Sequence, residues 1–409
     1  MSNVSKILKD ILNNRNDEIE LWFAEKYKNS RPFFYSSVDL RYSGHKLVPV
    51  DTNLFPAGFN LMTENASKKA IINAGNYLDN YYPDSKNIIL IPENHTRNKF
   101  YLENVYFIKK LIEESGKNVE IAGLETEDES QILETATGKE IVIKKLKLED
   151  KKVYVEGFEA DLIIVNNDFS SGAPDILRSV SQPIIPPVGM GWYRRSKTHH
   201  FEVYNDLVRD FSRKFDFDHW LINSSIKKCG TINFKDKTGL ECVAINVEKT
   251  IRKIQSKYDE YGIKDEPYVF IKADAGTYGM GIMTVKSGEE AMELNKKNRK
   301  KMNAIKEGVQ NTEVIIQEGI PTIDTVNGLP AEPMIYLVNG QSIGCTYRVN
   351  ESRDAFSNLN SSGMTFKSAC EKDNEKESPE EDMCPTQTLV AQLASLAATQ
   401  ECYEPQWQI

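Results

Sequence analysis

The sequence predicts an α/β protein with a doubly wound sheet in its N-terminal half and a glycine-bearing strand hairpin at the centre of its C-terminal half. Three observations predict this. The runs Ile88–Ile91 and Leu162–Val165 are short and wholly apolar, the pattern of strands buried on both faces. A helical pattern over Tyr101–Glu114, closed by Gly116, stands between such runs. A further run, Tyr268–Ile271, ends in Lys272 and is followed by Gly276, Gly279 and Gly281 before a second β-like run, Ile282–Val285.

The elements follow in chain order. Ile7, Leu8, Ile11 and Leu12, then Ile19, Trp22 and Phe23, recur at helical spacing, so residues 1–30 form a helical segment of one or two helices. Residues 31–205 form an α/β substrate-binding domain with strands at Val38–Leu40, Leu47–Val50, Ile88–Ile91, Val119–Ala122 and Leu162–Val165. Within it, Ile141, Ile143, Val153 and Val155 sit in β-type patterns around charged turns, which predicts a β-hairpin insertion near 130–158. Residues 206–409 form a second domain. Ser287 is placed to cap a helix running to Gly308, with Glu290 at the capping-box position. Glu371–Met383 carries seven acidic residues against two lysines, which predicts a mobile acidic loop near 370–385. Leu389, Val390, Leu393 and Leu396 then mark a closing helix over Thr386–Gln400.

Composition excludes several classes. No apolar run approaches the ~20 residues of a membrane helix, and Met1–Leu12 lacks a signal-peptide core. A net charge of -9 does not suit a general nucleic-acid binder. The six cysteines show no metal-ligand spacing, so reduced thiols and a cytoplasmic location are expected.

In doubly wound sheets ligands bind beyond the carboxyl ends of the strands. Here the segments after three strands are polar: Asp51, Asn53 and Asn60; Glu93, His95 and Arg97; Asn166, Asn167 and Asp168. Such groups suit a small polar substrate, although Asn and Asp also serve as plain caps and turns. The segment Trp192–Phe201 adds Arg194, Arg195, Lys197, His199 and His200, where an Arg can clamp an anion.

The glycine-bearing hairpin is not a P-loop, because no Gly-Lys-Ser/Thr ends it, nor a dinucleotide fingerprint, because a strand follows the glycines. Its glycines let backbone N–H groups approach phosphate oxygens, with Lys272 as a point charge. The next strand, Val314–Gln317, runs into Glu318-Gly319-Ile320-Pro321, a segment suited to adenine and ribose. Glu332, a hairpin carrying Arg348, and the run Asn358-Leu359-Asn360-Ser361-Ser362-Gly363 complete the order.

This arrangement resembles the ATP-grasp fold with a pre-ATP-grasp-like N-terminal domain. More narrowly, the segments SVDLRYSGHKLVPVDTNLFPAGFN, ILIPENHTRNKFYLENV, VNNDFSSG, KADAGTYGMGIMTV, VIIQEGIPT, AEPMIYLV, YRVN and NLNSSGM resemble the proteobacterial ATP-grasp type of glutamate–cysteine ligase. They cover about Ser37 to Met364. The resemblance implies an ATP- and Mg²⁺-dependent enzyme that joins glutamate to cysteine through a γ-glutamyl phosphate, the first step of glutathione synthesis. It implies that Lys272 binds phosphate, that Gly276, Gly279 and Gly281 form a mobile cover, and that Gln317, Glu318 and Ile320 line the adenosine site. Arg348 would stabilise the transferred phosphoryl group.

Magnesium departs from the family pattern, since the stretch where an acidic residue and Glu-x-Asn are usual reads Ser357-Asn358-Leu359-Asn360. Glu332 is the first carboxylate to consider, Asp354 the second, with Asn358 and Asn360 as neutral companions. Asp51, Asn53, Glu93, Arg97, Asn167 and Arg194 are the candidates for holding the amino acids. Another ATP-grasp ligase with different amino acids, or a non-catalytic ATP-binding protein, are the alternatives.

Overall fold

A computed structural model describes residues 3–275, 282–293, 305–306, 309–310, 312–368 and 384–404. The N-terminal segment is one helix, Val4–Tyr27, kinked where Arg15 leaves helical geometry (φ −138°, ψ 28°). The Asn3 side chain caps its start by accepting the Ser5 and Lys6 N–H groups. Val4, Leu8, Ile11, Ile19 and Trp22 form its buried face, the apolar stripe the sequence shows.

The apolar runs assemble a six-stranded sheet in the order Ile184–Ile185, Leu162–Asn166, Asn87–Pro92, Asn118–Gly123, Glu140–Lys145, Ser130–Glu134. All neighbours are parallel except the last pair. Ile88 and Leu90 join a core with the helices Glu64–Tyr81 and Lys99–Glu114. Ile89 and Ile91 point the other way, into a core that includes Val153, Val155, Leu177 and Met190. Burial on both faces explains why these strands show no polar alternation. The 130–158 insertion is a hairpin that extends this sheet, followed by a separate three-stranded sheet of Lys147–Glu149, Lys152–Val155 and Phe158–Glu159.

A second six-stranded sheet corrects the sequence reading. Leu47–Val50 was expected among the alternating strands and helices, with Asp51 and Asn53 in the loop beyond it. The strand instead runs Leu47–Asn53 and lies at the edge of an antiparallel sheet with Tyr35–Tyr42, Leu329–Val338, Gln341–Val349 and Thr365–Ser368, the short strand Thr325–Val326 pairing with Leu329–Val338 as the sixth. Asp51 and Asn53 therefore project from a strand, while the edge position accommodates Pro49, which has no N–H to donate. The C-terminal helix, Pro385–Cys402, meets this sheet, with Ser395 Oγ 3.1 Å from Ser36 Oγ. Leu389, Val390, Leu393 and Leu396 are wholly buried, as the spacing predicts.

The glycine-bearing hairpin belongs to a four-stranded antiparallel sheet in the order Ile226–Cys229, Val314–Glu318, Val269–Ala273, Met283–Val285. The helix Leu240–Tyr261 contributes Val243, Val247 and Ile254 to the same core as Val269, Ile271 and Ile315. Ser287 does cap a helix, its Oγ accepting the Glu290 N–H at 3.2 Å while Glu290 reaches back to the Lys286 N–H at 2.7 Å. That helix is described only over Gly288–Met292, and it does not reach Gly308 as expected, because Ile305–Lys306 and Val309–Gln310 pair as strands. Gly276, Gly279, Gly281 and the acidic residues 371–383 lie outside the described residues. Among the described residues no helix is long and apolar enough to cross a membrane.

Candidate active site

The antiparallel six-stranded sheet and the four-stranded sheet enclose a narrow chamber between them. Tyr35–Tyr42 contributes Asp39 and Arg41, Leu47–Asn53 contributes Asp51, and the hairpin Leu329–Val338/Gln341–Val349 contributes Glu332 and Arg348. Lys272 comes from the opposing sheet, and Lys197 from the first turn of the helix Lys197–Phe215. Strand register explains the clustering: Asp39 is paired with Asp51 and with Met334, and Glu332 with Arg348. Four cations thus face three carboxylates, a lining with one positive charge to spare for an anion.

These charges are tightly paired. Arg348 Nη1 donates to Asp39 Oδ2 at 2.6 Å and to Glu332 Oε2 at 3.1 Å. Arg41 Nε donates to Glu332 Oε1 at 2.7 Å, and Arg41 Nη1 to the Ile320 carbonyl at 2.8 Å. Arg41 Nη2 also reaches Glu332 Oε1 and the Ser357 carbonyl. Burial alone would raise the Glu332 pKa, but the guanidiniums of Arg41 and Arg348 outweigh it and hold the carboxyl below its ordinary range. For Asp39 burial prevails, and its pKa is raised despite Arg348. Lys197 Nζ lies 2.6 Å from Asp51 Oδ1 and 4.3 Å from the Trp192 ring centroid. Lys197, Lys272 and Arg195 overcome burial to hold Asp51 low. Lys272 donates to Gln317 Oε1 at 2.7 Å and to the Val50 carbonyl at 3.3 Å. Burial, joined by the cations Lys197 and Arg41, brings its ammonium down to about 8.

The chamber adjoins a cavity of about 1080 Å³ that shares Asp39, Asp51, Arg348 and Asn360 with it. Asn53, Glu93, Arg97 and Asp168 bring polar groups to its wall; Phe55, Trp192, Met334 and Phe366 bring apolar surface. Two buried amides fix this wall. Asn104 Oδ1 accepts the N–H groups of Gly58 and Phe59, both at 2.9 Å, and Asn166 Nδ2 donates to the Pro56 carbonyl at 2.9 Å. Gly58 has φ +103°, and a Cβ there would collide with the Tyr336 hydroxyl, so the turn needs glycine.

The expected residues divide accordingly. Lys272, Glu332, Arg348, Asp51, Asn358 and Asn360 line the chamber, and Asn53, Glu93 and Arg97 line the adjoining cavity. Asn167 and Arg194 line neither. Asn167 Oδ1 accepts the Phe169 N–H at 2.9 Å in a local turn, and Arg194 begins no helix face toward the chamber; Lys197, three residues on, does. Gln317 is reached through Lys272, while the Glu318 side chain is turned away into a fully buried ion pair with Lys46 at 2.8 Å. Ile320 is buried, its carbonyl taken by Arg41. Asp39 and Arg41 were not anticipated. Their alternation in Ser37-Val38-Asp39-Leu40-Arg41 is the available signal, charges two apart on one face of a strand.

The donor chemistry fits magnesium poorly. Both oxygens of Glu332 are engaged by guanidiniums, and Asn358 Oδ1 accepts the Asn360 N–H at 3.2 Å. Among the described residues no three His, Cys, Asp or Glu side chains converge as a metal site.

A family profile described as glutamate–cysteine ligase matches residues 9–402. The chain belongs to this family. A crystal structure of a provisionally named gamma-glutamylcysteine synthetase from Methylobacillus flagellatus KT is 39% identical, with a TM-score of 0.87 over 98% of this chain and 96% of that one. D-alanyl-alanine synthetase A from Vibrio cholerae is 11% identical over 73% of this chain and 78% of that one, at a TM-score of 0.32. A glutathione synthetase-like effector from Globodera pallida is 10% identical over 89% and 79%, at 0.41. Among curated proteins none matches. The chain is thus an ATP-dependent ligase of mixed α/β architecture built on several sheets.

Proposed function

We propose that the narrow chamber receives the γ-phosphate end of ATP and that the adjoining cavity holds glutamate and cysteine, so that γ-glutamylcysteine forms through a γ-glutamyl phosphate. The observation carrying this reading is the continuity of the two spaces: a chamber with surplus positive charge opens, across Asp51 and Arg348, into a cavity large enough for two amino acids. A γ-carboxylate oxygen of glutamate attacks the γ-phosphorus, and ADP leaves. The cysteine amine then attacks the acyl carbon, loses a proton, and phosphate departs.

Phosphoryl transfer requires positioning and neutralisation of charge rather than covalent help from the protein. Lys272 and Lys197, which flank Val50 and Asp51, neutralise phosphate together. Arg348, anchored by Asp39 and Glu332, has its head group at the junction, where charge develops as the acyl phosphate forms. Gly276, Gly279 and Gly281 would cover the triphosphate, and Gln317, Glu318 and Ile320 would border the adenosine, Glu318 through its backbone. Arg97 would take the α-carboxylate of glutamate and Glu93 its α-amino group, with Asn53 beside them.

Mg²⁺ enters this reading as a companion of the nucleotide, because phosphate oxygens supply ligands that Glu332, Asn358 and Asn360 do not.

The test is ADP release with ATP, Mg²⁺, glutamate and cysteine, omitting each in turn. Release that requires both amino acids, with γ-glutamylcysteine as product, is expected. Release that ignores glutamate or cysteine would reassign the cavity to other substrates.

A further inference from the structure

The sequence spacing of Cys229 and Cys242 carries no motif, yet the fold brings their sulfurs to 3.0 Å. Both are free thiols. Cys229 ends the edge strand Ile226–Cys229 and is buried; Cys242 lies in the first turn of the helix Leu240–Tyr261 and is exposed. The Asn246 side-chain amide donates to both, at 3.1 Å to Cys229 Sγ and 3.4 Å to Cys242 Sγ. An exposed thiol touching a buried one, under a shared hydrogen-bond donor, is the arrangement of an attacking and a resolving cysteine.

The pair is connected to the chamber. Lys228, adjacent to Cys229, bridges Asp274 at 3.2 Å and Glu313 at 2.9 Å. Asp274 Oδ1 in turn accepts the N–H of Thr198 at 2.8 Å and its hydroxyl at 2.7 Å, which fixes the turn that presents Lys197. The strand of Cys229 also pairs with the strand that carries Gln317, the partner of Lys272. Cys229 is paired with Val314 and Ile226 with Gln317, so drawing the two sulfurs to bonding distance would act first on the strand end that carries Lys228.

We propose that Cys229 and Cys242 form a dithiol site that closes to a disulfide by exchange with the disulfide of a small aminothiol, and that closure weakens ATP binding. Cys242 loses its proton to solvent and attacks one sulfur of the small disulfide, expelling one thiol and leaving a mixed disulfide. Cys229 then loses its proton and attacks Cys242 Sγ, releasing the second thiol. Two protein thiols are oxidised and one small disulfide is reduced, so no other oxidant is needed. Burial, chiefly, pushes the Cys229 thiol up to about 12, which assigns it the second, intramolecular step, where contact with its target offsets its low thiolate fraction.

The experiment treats the full-length enzyme with cystine, quenches it with acid and maps the unreduced peptides. ATP affinity is measured by calorimetry without cysteine, which would reopen the bond. The expected result is a Cys229–Cys242 cross-linked peptide, absent from Cys242→Ser, together with a rise in the ATP Kd of at least about threefold that dithiothreitol reverses. Cys242→Ser should keep the untreated Kd under cystine. Absence of the cross-link, a stable mixed disulfide at Cys242, or a cross-link with no change in Kd would each overturn the proposal. Failure of the reduced enzyme to bind ATP would instead count against the nucleotide reading, while the peptide map alone would still decide the cross-link.

Discussion

Glu332 stands directly opposite Arg348 on neighbouring antiparallel strands, and its two oxygens divide between two buried guanidiniums, Arg348 at 3.1 Å and Arg41 at 2.7 Å. One carboxylate therefore keeps two cations together in a wall only 1–5% exposed.

Glu332→Gln should leave the Arg41 guanidinium without a charged partner and cost about 3–5 kcal/mol in urea unfolding at pH 7, the usual effect of breaking a buried pair. The sign with pH follows from the depressed carboxyl. Its stabilisation is present above the unfolded-state pKa of about 4.3 and is lost as pH falls through the lower folded value. Acidification should thus destabilise the wild type more than the Gln variant. Equal acid sensitivity would show that Glu332 is not ionised in the folded protein.

Lys272 supports a second pH prediction. Its folded value of about 8 lies below the ordinary 10.5, so the folded protein sheds a proton more readily than the unfolded chain. Stability without nucleotide should rise between about pH 8 and 10.5. Bound phosphate favours the ammonium, so kcat/KM for ATP should decline above pH 8 in the wild type. Lys272→Ala should lose at least about tenfold in kcat/KM, more than ~1.4 kcal/mol, and abolish that decline. A variant that keeps the wild-type pH profile would remove Lys272 from the phosphate site.

What the sequence disclosed depends on how local each signal is. Ile88–Ile91 and Leu162–Val165 were legible because burial on both faces leaves an unbroken apolar run. Lys272 was legible because the strand and glycines around it are contiguous. Asp39 and Arg41 were not, since a charged strand position ordinarily faces water, and their partners Arg348 and Glu332 lie 309 and 291 residues away. The pairing of Tyr35–Tyr42 with Leu329–Val338 joins distant parts of the chain, which no periodicity records. Glu318 is a further case. The sequence ends the strand at Gln317 and gives Glu318 to the segment beyond, whereas Glu318 is the last strand residue and Lys46, 272 residues earlier, decides where its side chain goes.

The last helix holds the edge strand of the site from behind. Glu401, wholly buried, accepts Arg195 Nε at 3.1 Å, and Arg195 Nη1 donates to the Thr52 carbonyl at 2.7 Å, between Asp51 and Asn53. His200 bridges Glu401 and the Thr52 hydroxyl, at 3.3 and 2.9 Å. Glu401→Leu should strand the Arg195 charge and cost about 3–5 kcal/mol in urea unfolding. A melting curve unchanged from the wild type would mean that the helix is not required to position that strand.

Arg97 separates substrate binding from chemistry. It is exposed and lines the adjoining cavity, away from the narrow chamber where Lys272 and Glu332 lie. A guanidinium that holds the α-carboxylate of glutamate makes the same contact in ground and transition states, because that carboxylate takes no part in the reaction. Its loss is a loss of uniform binding, which raises KM and leaves kcat in place. Arg97→Ala should therefore raise KM for glutamate roughly tenfold, with kcat and KM for ATP each within about twofold of wild type. Steady-state kinetics with each substrate varied in turn checks this. A fall in kcat at constant KM would mean that Arg97 acts on the acyl phosphate, and would move the carboxylate clamp to another residue of the cavity.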